Sequence, residues 1–346
     1  MARGKPKKKR GRPKGSKNKP KKPIVKIKQR KNMEGIYTSS SEKDFKSKEQ
    51  IQTEKMYRGD VSVSYPDRHI AELTFEELQE EMERRSELRQ KVENKEYNTT
   101  IEIKTEKPIA IGWFADHHVG GQDVDYERLK WEVDEIKRNP YMKVLLGGDI
   151  ADSFCWNPAQ YGDIANLDEQ NLYLHKMLEY MGYDKILGGV IGNHELWSRR
   201  TGLDMYNDIR KKIPIFDGVG TVELLINDVS YTGAIMHKAK GYSYFNPNHG
   251  QKRFSMENEG YDFVLSAHTH TGAEQSQVKH TAKGMKKMVF LSGKTFKRGD
   301  VFLGSKGISR LGEEGIGTNW ILFNHKKKMM IPLSSTAEVI SVMGDI

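Results

Sequence analysis

Five short apolar runs along this chain each lead into residues that can bind hard metal ions or transfer protons. The runs span residues 109–114, 144–146, 190–191, 234–236 and 263–265. The polar groups that follow them are Asp116-His117-His118, Gly148-Asp149-Ile150-Ala151-Asp152, Gly192-Asn193-His194-Glu195, His237 and Ala267-His268-Thr269-His270. Strands that place carboxylates, an amide and imidazoles at their carboxyl ends build a polar site at one edge of an α/β fold. The pattern therefore predicts a two-metal hydrolase.

These five elements resemble the signature of the calcineurin-like metallophosphoesterase superfamily. That signature runs Asp-x-His, Gly-Asp-x-x-Asp, Gly-Asn-His-Asp/Glu, a lone His and Gly-His-x-His. The resemblance covers roughly residues 107–334. Two positions depart from it: Ala267 replaces the usual Gly before the last His pair, and Ser153 stands where phosphoprotein phosphatases of the family place a phosphate-binding Arg. The second departure weakens a protein-phosphatase reading.

The resemblance implies a two-metal centre with one bridging carboxylate, Asp149. It assigns one metal to Asp116, His118, Asp149 and His270, and the other to Asp149, Asn193, His237 and His268. Two neighbouring cations would neutralise the phosphoryl oxygens and supply hydroxide at neutral pH. Mixed oxygen and imidazole ligands favour two divalent ions, with Mn²⁺ expected first and Fe or Zn as alternatives.

The same resemblance implies that His194 and Asp152 are the catalytic residues. His194 would act either as a general acid or as a donor to a phosphate oxygen, because imidazole gives up a proton near neutrality. Asp152 would orient it. Arg199 and Arg200 follow closely enough to contact a phosphate, although they could equally be solvated charges. Glu195 is a residue that could support the His194 turn.

The remaining histidines match no position of the signature. His117 is expected to be a neighbour of the ligands and not itself a ligand. Ordinary surface or half-buried roles are expected for His175, His249, His280 and His325.

The amino terminus has a different chemistry. Residues 1–31 contain sixteen Lys or Arg and no acidic residue, so residues 32–346 carry a net −6 although the whole chain is +10. The positive charge therefore belongs to a tail that cannot collapse and is predicted to be disordered.

Within this tail, Arg10-Gly11-Arg12-Pro13-Lys14 looks like an AT-hook. The narrow minor groove of A·T tracts attracts inserted Arg, and A·T pairs lack the guanine amino group that blocks entry. Gly11 leaves the groove floor clear and Pro13 keeps the backbone extended. We expect A·T-rich DNA as a partner; a nuclear-targeting or general polyanion-binding tail is the alternative.

The predicted organisation is a basic tail (1–31), a linker (32–73), an amphipathic helix (74–100) and a metallophosphoesterase domain (101–346). Helices are predicted near residues 126–138, 167–181 and 204–212. Strands are predicted at 222–226, 231–236, 263–267, 288–291 and 320–323. The order of these elements fits the four-layer α/β/β/α sandwich that the resemblance implies. The stretch 238–254 mixes basic and aromatic residues, which suits either a substrate groove or a surface loop.

The sequence favours a DNA-associated enzyme that hydrolyses phosphodiester bonds, acting as a nuclease. One alternative is a phosphomonoesterase on nucleotides, nucleic-acid ends or phosphoproteins. Another is an architectural DNA-binding protein with a vestigial metal site. The single cysteine, Cys155, and the lack of a long apolar stretch lead us to expect an intracellular, soluble protein without membrane association.

Overall fold

The computed structural model describes residues 73–96, 98–154, 163–241, 243, 245–281, 284–299 and 311–344. The predicted basic tail, including Arg10, Gly11, Arg12, Pro13 and Lys14, lies outside the described residues, as does the linker up to residue 72. Cys155 also lies outside them.

Helices and strands alternate in the first half of the described chain and strands dominate the second. The helices are α1 (Phe75–Glu96), α2 (Tyr126–Arg138), α3 (Leu167–Met181), α4 (Asn193–Ser198), α5 (His249–Glu257) and α6 (Thr336–Gly344). The strands are β1 (Asn98–Ile103), β2 (Ile109–Phe114), β3 (Met142–Leu146), β4 (Ile186–Val190), β5 (Ile215–Phe216), β6 (Gly220–Ile226), β7 (Val229–Met236), β8 (Phe263–Ser266), β9 (Glu274–Thr281), β10 (Gly284–Ser292), β11 (Asn319–Phe323) and β12 (Met330–Leu333).

The strands form two six-stranded sheets. One has the order β12-β11-β2-β3-β4-β5, in which β2 to β5 are parallel and β11 is antiparallel to β2. The other has the order β1-β6-β7-β8-β10-β9, with parallel pairs at β7–β8 and β8–β10. The parallel strands point their carboxyl ends the same way, which gathers the loops that follow them.

Strand β2 shows why its sequence is apolar throughout. Successive side chains of a strand point to opposite faces. Ala110 and Phe114 pack in the core cluster that includes Leu129 of α2 and Leu174 of α3. The alternating positions Ile109, Ile111 and Trp113 pack in a second cluster, with Phe263 and Leu265 of the other sheet. Both faces of β2 are therefore buried, which explains the unbroken apolar run.

A third cluster completes the layering. Ala234, Met236 and Val264 of the second sheet pack with Phe254 of α5. The order of layers is therefore α2 and α3, the first sheet, the second sheet, then α5. This confirms the predicted α/β/β/α sandwich.

The helix predictions met different outcomes. Helix α1 has Thr74 as its cap, since the Thr74 hydroxyl accepts from the Glu77 backbone N–H and the Glu77 carboxylate accepts from that of Thr74. Helices α2 and α3 have the predicted bounds.

The helix predicted at 204–212 is wrong, because this segment forms turns. The Asp204 carboxylate accepts from the Tyr206 backbone N–H, so a side chain competes with helical hydrogen bonding there. Helix α5 was not predicted; it begins at His249, within the stretch 238–254, and ends beyond it at Glu257. No helix of the described chain combines the length and apolarity needed to span a membrane.

Candidate metal centre

The predicted ligands lie in loops at one edge of both sheets. Asp116 and His118 follow β2, Asp149 follows β3, and Asn193 begins α4 just after β4. His237 follows β7 of the other sheet, and the His268–His270 pair follows β8. The Asp116 backbone N–H donates to Gly148 O, and that of Ala267 donates to His237 O, so neighbouring ligand loops are joined by main-chain hydrogen bonds.

The backbone at these positions is unusual. Five of the seven predicted ligands have a left-handed backbone conformation: Asp116 (φ 51°), His118 (φ 52°), Asp149 (φ 50°), His268 (φ 70°) and His270 (φ 52°). Each such non-glycine residue costs on the order of 1–3 kcal/mol and tends to occur where function requires a particular side-chain direction. The concentration of strain supports a functional role for these loops.

Two glycines allow the loops to approach each other. A Cβ on Gly192 would lie 2.0 Å from Asp149 Oδ1 and 2.2 Å from its backbone N. A Cβ on Gly148 would lie 2.4 Å from the Gly192 backbone N and 2.9 Å from His237 Nδ1. Only residues without a side chain fit at these two positions.

Glu195 fixes the Asp149 loop through its carboxylate. Its Oε2 accepts from the backbone N–H groups of Asp149 (2.9 Å) and Gly192 (3.0 Å), and its Oε1 accepts from those of Ile150 (2.6 Å) and Ala151 (3.2 Å). Burial and the nearby Asp149 carboxylate raise the pKa of Glu195. Glu195 therefore supports the ligand loops, including the turn that carries His194.

A first cluster consists of Asp116, His118 and His270. His118 Nε2 lies 3.2 Å from His270 Nε2, and His270 Nε2 lies 3.5 Å from Asp116 Oδ1. Asp116 Oδ1 is buried and has no hydrogen-bond partner among the described residues, whereas Oδ2 accepts from the His268 backbone N–H. The first cluster thus places one unsatisfied carboxylate oxygen beside two imidazole nitrogens.

A second cluster consists of Asp149, His237 and His268. His237 Nε2 lies 3.1 Å from Asp149 Oδ2 and 3.1 Å from Asn193 Oδ1. His237 Nδ1 lies 2.8 Å from the Gly147 carbonyl oxygen and must donate to it. In a neutral imidazole, Nε2 is then an acceptor facing two further acceptors, an arrangement that needs a bound cation or an extra proton.

Attraction between the Asp149 carboxylate and the neighbouring imidazoles also shifts the pKa values of the second cluster. Burial opposes ionisation, but the Asp149 carboxylate raises the pKa of His237 to about 10. Burial is likewise outweighed at Asp149, where His194 and His237 hold the pKa of the carboxyl well below its usual range. Oxygen and imidazole donors that converge in this way fit divalent metal ions with mixed-ligand preference.

His194 and Asp152 are beside both clusters. His194 Nδ1 is in hydrogen-bond contact with the backbone carbonyl of Asp152, and His194 Nε2 lies 3.7 Å from Asp149 Oδ2. The Asp152 carboxylate instead contacts His118 Nδ1 at 2.8 Å. The Asp152 carboxylate also lies 3.8 Å from His194 Nδ1. That Asp152 orients His194 stays a prediction; Asp152 contacts His194 through its backbone carbonyl and His118 through its carboxylate.

Lys297 was missed by the sequence reasoning. Its Nζ lies 3.0 and 2.9 Å from the two carboxylate oxygens of Asp152, and both side chains are buried. Lys297 belongs to no motif and lies six residues beyond the end of the predicted strand 288–291. The one available signal was that a buried Asp152 carboxylate would need a counter-charge. That signal does not say which lysine or arginine supplies it.

Two other predictions concern residues near the centre. His117 lies in the apolar core against Phe114 and Phe296, with ring-centroid distances of 4.0 and 5.0 Å, as expected of a non-ligand. The Arg199 guanidinium forms ion pairs with Asp204 (2.9 Å) and Asp217 (3.1 Å), and its contact with a phosphate stays a prediction. Arg200 is exposed.

Comparison with known proteins gives structural neighbours only. No protein-family model and no curated protein matches the chain. Vacuolar protein sorting 29 from Cryptosporidium parvum shares 12% identity with a TM-score of 0.34, covering 66% of this chain and 100% of that one. The calcineurin-like phosphoesterase YfkN from Bacillus subtilis shares 12% identity with a TM-score of 0.35, covering 69% and 96%. A metallophosphoesterase from Sphaerobacter thermophilus shares 12% identity with a TM-score of 0.33, covering 68% and 94%.

At these identities and TM-scores the neighbours carry no weight for function, which rests on the residues of the site. Fold and site together define an α/β/β/α sandwich with a buried carboxylate–imidazole centre suited to metal ions.

Proposed function

We propose that the protein is a two-metal phosphoesterase, and that DNA phosphodiester bonds are its substrate. The observation that supports the metal centre best is the convergence of acceptors on His237 Nε2, where the oxygens of Asp149 and Asn193 each lie 3.1 Å away. The unsatisfied Asp116 Oδ1 adds a second position that lacks a donor. Divalent cations would relieve both arrangements.

Bound metals would neutralise phosphoryl charge and supply hydroxide at neutral pH. Asp116, His118 and His270 would hold one ion and Asn193, His237 and His268 the other, with Asp149 between them. We expect Mn²⁺, with Fe or Zn as alternatives, because the donors are mixed oxygen and imidazole.

His194 is the proton donor in this proposal. Because Nδ1 contacts the Asp152 carbonyl and must donate to it, Nε2 is the ring nitrogen left for the substrate side. Protonated at Nε2, it would donate to a phosphoryl oxygen or to the departing alkoxide.

The DNA substrate rests on charge and exposed aromatic surface. Lys238 is exposed and directly follows the candidate ligand His237 in the chain. Burial, with the charges of His237 and Lys238, lowers the pKa of His268 to about 4. Phe245 in the following segment is 95% exposed. A basic residue beside the metals and an exposed ring suit phosphate contact and base stacking, and the basic tail would add salt-dependent affinity.

The first experiment compares supercoiled A·T-rich plasmid with chromogenic phosphodiester and phosphomonoester substrates in Mn²⁺. Asp149→Asn is the test variant and Asp184→Asn, at an exposed carboxylate, is the matched control. We expect plasmid nicking by wild type and by Asp184→Asn, and a fall of about 1000-fold in Asp149→Asn, since a catalytic metal contributes several kcal/mol. Hydrolysis of the monoester with intact plasmid would replace the nuclease proposal with a phosphomonoesterase. Turnover of no ester would contradict the phosphoesterase proposal.

The role of the tail is tested separately. Removing residues 1–31, or changing Arg10 and Arg12 to Ala, should weaken plasmid binding and lower its salt dependence while leaving turnover of the small diester unchanged. Unchanged binding to A·T-rich DNA would refute the AT-hook assignment without affecting the metal centre.

A further inference from the structure

Lys297 lies beneath the metal centre in a segment that also supports Asp116. The Phe296 backbone N–H donates to Asp116 O at 3.0 Å, and the Thr295 hydroxyl donates to the same oxygen at 2.7 Å. Thr295 Oγ1 also accepts from the Lys297 backbone N–H. These contacts fix the start of the Lys297 side chain relative to the first cluster.

The Lys297 side chain ends on the Asp152 carboxylate. Its Nζ lies within 3.0 Å of both Asp152 oxygens, and Lys297 and Asp152 are only 4% and 1% exposed. At this burial a carboxylate without a counter-charge would be costly, so the ion pair keeps Asp152 anionic inside the protein.

Asp152 in turn acts on His118. Asp152 Oδ1 lies 2.8 Å from His118 Nδ1, which must donate to it, so the His118 lone pair is at Nε2. His118 Nε2 faces His270 Nε2 at 3.2 Å within the first cluster. A carboxylate behind a metal-binding imidazole fixes its tautomer and raises its basicity.

Asp152, His118 and His194 also form a third group whose ligand atoms lie within 4.8 Å of one another. In this group the positive charge is already provided, because Lys297 Nζ contacts both Asp152 oxygens. The lysine thus distinguishes this group from the first cluster, where Asp116 Oδ1 lacks a donor, and from the second, where His237 Nε2 faces two oxygen acceptors.

We propose that Lys297 is a positioning residue of the metal centre, which acts through Asp152 to present His118 Nε2 to the metal of the first cluster. This inference rests on the proposed metal binding. It goes beyond the ligand set because it assigns a function to a residue outside every motif, and it predicts an effect confined to one of the two metals.

The test measures Mn²⁺ binding to the full-length, chelator-stripped protein, using the electron paramagnetic resonance signal of free Mn²⁺. His237→Asn removes an imidazole from the second cluster, so that only the first cluster stays complete. His270→Asn removes one from the first cluster, so that only the second stays complete. In the His237→Asn background, Lys297→Met should weaken Mn²⁺ binding by about 10- to 100-fold. In the His270→Asn background it should change binding by no more than about twofold, as for independent sites.

Lys294→Met is the matched control. Lys294 is 6% exposed and lies three residues earlier in the same segment, and among the described residues it forms no ion pair within 4 Å. It should leave Mn²⁺ binding unchanged in both backgrounds. A general loosening of the segment would instead weaken both clusters and would affect both lysine variants.

Asp152→Asn supplies a second route. Alone it should weaken the same cluster, and combined with Lys297→Met the effects should be strongly non-additive, because both remove one interaction. The double variant buries no unpaired charge, so it also tests the inference if Lys297→Met alone folds poorly. Equal Mn²⁺ affinity with and without Lys297→Met in the His237→Asn background would overturn the inference and leave the proposed function standing. Absence of Mn²⁺ binding in wild type would overturn both.

Discussion

Two regions meet at the loop after β2, and they give the neighbouring residues His117 and His118 different surroundings, one apolar and the other polar. The apolar layer, formed by Phe114, His117 and Phe296, encloses an imidazole whose two nitrogens have no hydrogen-bond partner among the described residues. The polar layer, formed by the seven predicted ligands with Asp152 and His194, gives His118 a carboxylate on one nitrogen and the first cluster on the other.

Exposure does not distinguish the two histidines, since they are 0% and 3% exposed. The difference lies in their polar partners, and it teaches that burial alone says little about function. Changes in the polar layer should therefore alter metal binding more than stability, and changes in the apolar layer should do the reverse.

Gly192→Ala should have the largest effect. The new Cβ would meet Asp149 Oδ1 at 2.0 Å and Asp149 N at 2.2 Å, so the backbone of the polar layer has to move. We expect Mn²⁺ affinity to fall by more than about 100-fold, beyond the usual loss for a supporting residue, and stability to fall by about 1–3 kcal/mol. Metal titration and thermal unfolding measure the two.

Gly218→Ala is the control for that change, because a Cβ there meets nothing within 4 Å. Normal Mn²⁺ affinity in Gly192→Ala would show that the Asp149 carboxylate does not hold metal in the arrangement described.

The polar layer was more predictable from sequence than its supports. Ligands such as Asp116 and His237 are recognisable because their residue types and their places after apolar strands both follow from metal chemistry. Lys297 and the backbone carbonyl of Asp152 carry no such signal, since their roles depend on which segments the fold brings together. The sandwich could be predicted because the motifs resemble those of a known family and the order of predicted helices and strands fits its two-sheet fold. The turns at 204–212 depend on side chain–backbone competition at Asp204, which periodicity does not register.

Glu195→Gln tests the boundary of the polar layer. The carboxylate accepts from four backbone N–H groups, and an amide presents an NH₂ donor in place of one acceptor oxygen. Losing charge-assisted hydrogen bonds and leaving buried donors unsatisfied should lower the free energy of unfolding by about 3 kcal/mol. Denaturant unfolding with chelator present measures this loss without a metal contribution. The control, Glu102→Gln at an exposed strand position, should be near neutral; equal losses in the two variants would contradict the assigned role.

His117→Phe should have the smallest effect, and it acts on the apolar layer alone. Burial lowers the pKa of His117 to about 3, whereas a histidine in the unfolded chain titrates near 6.5. Below about pH 6.5 the unfolded chain therefore binds a proton that the folded protein does not, so stability falls as pH falls, by about 1.4 kcal/mol per pH unit until the folded pKa is reached. Phe cannot bind this proton, and its ring can occupy the same position between Phe114 and Phe296.

The prediction concerns the slope and not the absolute stability. The difference in unfolding free energy between variant and wild type should shift in favour of the variant by about 1 kcal/mol between pH 6.5 and pH 5.5, because the unfolded histidine is half protonated at the upper limit of this range. Denaturant unfolding in chelator separates this effect from proton competition for metal, and His280→Phe, at an exposed position, controls for the loss of one histidine. If the unfolding free energy of the variant changes with pH as steeply as that of wild type, His117 takes up its proton within the folded protein. The proposed contrast between the apolar and polar layers would then be wrong. A reduced slope with unchanged Mn²⁺ affinity would establish that adjacent histidines on one loop are divided between stability and metal binding by their partners alone.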